Sequence, residues 1–157
     1  MGLPEPLHPA LVHFPIAFSI IALALGIWAL FTRKIVPYMT IFLFITIGVV
    51  IVTQLAGSYA ASTAGQLSAE DNALIDEHAN WSIIVLVMTS LATLCSLVTW
   101  IVSRRGRAGL RWFWTILTLI FLCLNTWAVF ETAKRGGAMV YEHGIGVKAQ
   151  GTNIPRE

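Results

Sequence analysis

Residues 36–59 read VPYMTIFLFITIGVVIVTQLAGSY, a run without one charged side chain. As a helix it would rise about 36 Å, enough to cross the ~30 Å hydrocarbon core of a bilayer. Three further runs share its character. They cover approximately residues 9–31, 73–102 and 110–132. Thr32-Arg33-Lys34 breaks the first from the second. Ala64-Gly65-Gln66 and the acidic stretch after it separate the second from the third. Ser103-Arg104-Arg105-Gly106-Arg107 ends the third, and Arg135-Gly136-Gly137 ends the fourth.

Composition agrees with the runs. The 157 residues are 57% hydrophobic and 11% charged, against roughly 25% charged in an ordinary soluble domain. The expectation is one all-α membrane domain, a four-helix transmembrane bundle, because short connections favour up-down-up-down neighbours. Residues 1–147 form that domain, closing in a glycine-rich outer tail, and 148–157 are a C-terminal tail. No internal sequence repeat is evident. Ser68-Ala69-Glu70-Asp71 resembles a capping box ahead of the third helix; the acidic run can otherwise dock a basic partner.

Charge placement suggests an orientation. Arg33, Lys34, Arg104, Arg105, Arg107 and Arg111 lie in or beside the two short loops on one side. All eight acidic residues lie on the other side, where the basic residues are confined to the C-terminal segment. The positive-inside rule then puts the two loops in the cytoplasm and both termini in the periplasm of a bacterial inner membrane. Met1 to Pro6 carry no Lys or Arg, so the basic n-region of a cleavable signal peptide is missing. A net charge of +2, with no basic run interleaved with aromatics, gives no reason to expect nucleic acid. The two cysteines, Cys95 and Cys123, lie inside apolar runs, and no C-x-x-C-H is present for covalent haem attachment.

All four histidines, His8, His13, His78 and His143, fall on the outward side. Imidazole ligates transition metals and haem iron, so chemistry is expected there. Polar groups inside the spans follow the same side: Gln54, Asn80 and Asn125. Each is costly in hydrocarbon unless it has a partner. Small residues on the His13 face, Ala17 and Ala24, either leave room for a flat ligand or let helices pack closely. Pro15 is expected to free the Leu11 carbonyl and kink the first helix. A five-residue step turns a regular helix by about 140°, so His8 and His13 serve different neighbours.

Two stretches resemble a known family. Leu7-His8-Pro9-Ala10-Leu11-Val12-His13-Phe14-Pro15-Ile16-Ala17 is similar to the opening of DUF2231, a family of four-helix membrane proteins of unknown function. Gly136-Gly137-Ala138-Met139-Val140-Tyr141-Glu142-His143-Gly144-Ile145-Gly146-Val147 resembles its closing motif. The resemblance implies partnership with redox modules, since related domains occur fused to Rieske-type or cytochrome c-type domains. It marks His8, His13 and His143, with His78 at the head of the third helix.

The first functional expectation is a b-type haem protein, an electron-transfer subunit working at the periplasmic face with a redox membrane complex or a periplasmic cytochrome. A four-helix bundle can hold haem between facing helices with histidine as axial ligand. His13 and His78 are the expected axial pair. His8 and His143 are an alternative or second site. Trp81 would pack on the macrocycle, Gln54 would add polarity, and Lys134 and Arg135 would pair with propionates. The alternatives are a Zn or Cu site of three or four imidazoles with Glu131 or Glu142, and a structural accessory subunit without a cofactor. No nucleophile–base pair, phosphate loop or carboxylate dyad suggests a catalyst.

Overall fold

A computed structural model describes residues 7–64 and 67–145. The proposed tail 148–157, with Gly146 and Val147, lies outside them. Five α-helices follow in order: α1 His8–Leu11, α2 His13–Phe31, α3 Val36–Ser62, α4 Ala69–Arg104 and α5 Ala108–Tyr141. A 3-10 turn, Arg33–Ile35, joins α2 to α3. Among the described residues there is no strand. α1 and α2 together form one apolar span, so four spans are long and apolar enough to cross a membrane. The protein is membrane-embedded. α2 and α4 each pack on both α3 and α5, which closes the spans into a ring.

One helix start meets the capping-box expectation, and one helix end departs from what the glycines suggested. α4 begins at Ala69, four residues before the apolar run does. Ser68 Oγ accepts from the Asp71 amide at 3.0 Å, and Asp71 Oδ2 accepts from the Ser68 amide at 3.2 Å. The capping box therefore starts the helix in its polar part. α5 runs through Gly136 and Gly137 to Tyr141, where a break and a folded-over tail were expected. Glycine costs a helix only about 1 kcal/mol, and packing against α4 outweighs that. The chain leaves the helix at Gly144, whose φ of +65° suits glycine. There Ile145 N–H donates back to the Met139 carbonyl at 2.9 Å.

α1 and α2 are separated at Val12. Pro15 explains the interruption, because its ring crowds the carbonyl four residues back, at Leu11. The short α1 is thereby free to lean on α3, which it contacts.

Small and hydroxylated residues make up much of the core, around Met39, Leu43 and Leu122. On α2 the buried stripe is Ser19, Ala22, Gly26 and Ala29. Ala17, Ile20 and Ala24, the face on which a flat ligand was considered, are exposed on the bundle's outer surface. Close helix packing is thus done by the opposite stripe. The buried threonines each turn their hydroxyl onto the carbonyl one turn back, as Thr40, Thr46, Thr99 and Thr118 do. This satisfies the group without water, which hydrocarbon requires.

Polar contacts inside the bundle tie helices together. Ser96 and Thr40 hydroxyls meet at 2.6 Å between α4 and α3. Gln54 Nε2 donates to the Ser82 carbonyl at 2.6 Å. Thr89 Oγ1 lies 2.8 Å from the Asn125 amide and 2.8 Å from the Val85 carbonyl. One hydroxyl proton cannot serve two acceptors. Turning the Asn125 amide so that Nδ2 donates to Thr89 satisfies both groups. Asn125→Leu is then expected to cost only ~0.6 kcal/mol, the average for interhelical hydrogen bonds in membranes. Thr89 keeps the Val85 carbonyl as its acceptor. Unfolding in a graded detergent–denaturant series measures it, and a loss several times larger would show that the amide holds more than Thr89.

Candidate imidazole site

The break at Val12 decides which histidine enters the bundle. His8, on α1, reaches across to α3, and its Nδ1 lies 3.0 Å from the Thr53 carbonyl. His78, in the N-terminal part of α4, places Nδ1 3.1 Å from the Thr132 carbonyl of α5. A carbonyl only accepts, so in the neutral rings Nδ1 carries the proton and Nε2 keeps its lone pair. Both rings are half-buried. Their centroids are 6.2 Å apart and their planes are perpendicular, at 89°.

The same local device holds each ring. In a helix, access to a carbonyl is crowded by the side chain four positions on. Here that position is glycine both times, Gly57 after Thr53 and Gly136 after Thr132. A Cβ on Gly57 would stand 2.9 Å from His8 Cε1, and one on Gly136 would stand 3.0 Å from His78 Cε1. Each threonine turns its hydroxyl onto its own helix: Thr53 to Val49 at 2.9 Å, Thr132 to Ala128 at 2.8 Å. The two halves of the chain therefore repeat an arrangement that their sequences do not advertise. In each, a histidine near the same end of the bundle docks on a Thr-x-x-x-Gly notch of a neighbouring helix, His8 of α1 on α3 and His78 of α4 on α5. The spacing T-x-x-x-G was the available signal, at Thr53–Gly57 and Thr132–Gly136.

The ring beside His78 is that of His8, whereas His13 was expected there. His13 is exposed, and its Nδ1 bonds the Pro9 carbonyl of its own chain segment at 3.1 Å. Val12 separates the two helices that carry these residues, and only α1 brings its histidine onto α3. His143 sits half-buried in the turn after α5.

Beside His78 lies a compact charged group. Arg135 Nε donates to Glu77 Oε1 at 2.8 Å, and its Nη1 pairs with Glu131. The guanidinium lies over the Trp81 ring, 4.4 Å from the centroid. Trp81 meets Trp127 edge to face at 5.2 Å. Arg135 is thus committed to two carboxylates and an aromatic face, where pairing with a propionate was expected. Lys134 is exposed. With Glu77 and Arg135 it lines a groove of about 230 Å³ at the ends of α4 and α5. Gln54 serves the α3–α4 contact described above.

Among the described residues, no three His, Cys, Asp or Glu side chains gather closely enough to hold a metal ion. The alternative of three or four imidazoles with Glu131 or Glu142 is therefore not assembled there. Glu131 is held by Arg135 instead.

A family model described as "Predicted membrane protein (DUF2231)" matches residues 4–149. No curated protein gives a match, and no solved structure does.

Proposed function

The chain belongs to the DUF2231 family of predicted membrane proteins, and we propose that it is a b-type haem protein with His8 and His78 as the axial ligands. One observation carries the reading: two inward imidazoles, 6.2 Å apart, each with Nδ1 on a helix carbonyl. Half of that separation is about 3 Å. That is the reach of a ~2 Å metal–nitrogen bond plus a ring radius of ~1 Å. An Nδ1–H bonded to a backbone carbonyl is also the usual outer-shell support of a ligating histidine.

Ligand count separates haem from a bare ion. Structural zinc wants four protein ligands. Haem iron brings four porphyrin nitrogens and asks the protein for axial ligands only. Two imidazoles without a third donor among the described residues match the second demand. The bound group would supply one-electron chemistry. This chain's residues would fix the two rings. Lys134 remains available to an anionic propionate.

In this reading the site faces the periplasm of a bacterial inner membrane, since the basic loops lie at the opposite end. The pair lies at one end of the bundle, so electrons are exchanged at that surface, with a redox membrane complex or a periplasmic cytochrome. A reduced-minus-oxidised optical spectrum of the purified protein tests it, with iron, zinc and copper analysis beside it. Sharp haem bands with about one iron per chain are expected. A protein purified from haem-replete cells with neither bands nor iron would sink the reading.

A further inference from the structure

We infer that Gly57 and Gly136 are positioning residues: each opens a helix carbonyl to a histidine and so fixes which ring nitrogen is left free. The functional half of this rests on the haem reading; the structural half does not. The argument starts from what an extra methyl group would meet. At Gly57 it would press on His8 Cε1 at 2.9 Å and Nδ1 at 3.0 Å. At Gly136 it would press on His78 Cε1 at 3.0 Å and Nδ1 at 3.4 Å.

These contacts fall on rigid rings, and at the edge that carries the hydrogen bond. A ring cannot yield there by rotating a terminal methyl. It must move off, and the Nδ1 bond to the Thr53 or Thr132 carbonyl lengthens with it. Without that bond the neutral ring has no reason to keep its proton on Nδ1, and the Nε2 lone pair is no longer guaranteed. The same spacing in both halves makes the device general to the site. Each glycine controls its own ring, because Gly57 touches His8 and Gly136 touches His78.

Two other glycines provide controls. Gly48, on α3, and Gly137, next to Gly136 on α5, have no heavy atom within 4 Å of a built Cβ. Alanine there changes helix propensity in the same direction without reaching a ring.

The test uses the full-length protein with ¹⁵N-labelled histidine in lipid nanodiscs. Long-range ¹⁵N–¹H correlation on a haem-free preparation reads which ring nitrogen carries hydrogen. Haem per chain is read by absorbance after reconstitution with hemin. The parent is expected to show Nδ1–H on His8 and His78. Gly57→Ala is expected to alter the His8 signal alone, and Gly136→Ala the His78 signal alone. Each is expected to weaken haem binding by at least ~10-fold, the lower end of outer-shell effects. Gly48→Ala and Gly137→Ala are expected to match the parent.

Alanine at 57 and 136 giving the same tautomers and haem content as the controls would overturn the inference. If the alanine variants do not fold, the parent still decides, because Nε2–H on either ring refutes it. Variants that show the tautomer response, with a parent that takes up no haem, would remove the haem reading and leave the notches standing. Haem binding that ignores both glycines would do the reverse.

Discussion

His78→Ala is expected to weaken haem binding by more than ~100-fold, and His8→Ala to do the same, while His13→Ala leaves the spectrum of the parent. The bound enlists outer-shell replacements as its yardstick: losing a partner of a ligand costs about 10–100-fold, so losing the ligand costs more. The three variants separate the site from its neighbourhood. His13 is on the same side of the molecule and only five positions from His8, yet its ring is exposed and bonded to Pro9. A site that merely needed basic groups at this end would respond to all three. Acid gives an independent reading. Both Nε2 atoms must be unprotonated to ligate, so lowering the pH is expected to release the group from the parent. Haem retained in full by His78→Ala would show that the ring pair does not hold it.

Much of the bundle was legible in the sequence because bilayer thickness imposes a length on apolar runs. The second span could be read from residues 36–59 by the absence of charge alone. Helix ends were harder for a reason visible at Gly136. Glycine pairs usually signal a stop, since they cost a helix backbone entropy. Here the helix continues, and the small residue is explained by a ring arriving from α4. Local propensity carries no trace of that ring, because His78 is 58 positions earlier in the chain. The site was half legible for the same reason. That histidines gather at one end follows from their order along the spans. Which two meet depends on Pro15, which interrupts the first helix and lets α1 lean on α3. A kink at Pro15 could be expected from the sequence, but not that it would send α1, and with it His8, onto α3. The notches at Thr53 and Thr132 lie inside helical sequence, where the T-x-x-x-G spacing marks them but does not say which ring docks there.

Gly26→Val is expected to destabilise the bundle by about 1–3 kcal/mol, the usual range for overpacking. A Cβ at this position would stand 2.6 Å from Leu122 Cδ1 and 3.3 Å from Leu119 Cδ1. Leucine methyls can rotate away when space is open. Leu122 has little such space, being fully buried in the cluster with Ala22, Ala29, Leu43 and Ala92. The backbone of α2 fixes where the new Cβ sits, so either α5 or α2 must move outward. Adding Leu122→Ala returns the volume. The pair is then expected to be more stable than the sum of the two single losses, with a coupling of about 0.5–3 kcal/mol. Detergent–denaturant unfolding of the four proteins gives that coupling. Simple additivity would mean that α2 and α5 do not meet at Gly26. Coupling without any change in haem content would show that the α2–α5 seam and the ring pair are separate. A shared loss would follow if moving α2 also draws α1, and with it His8, away from Thr53.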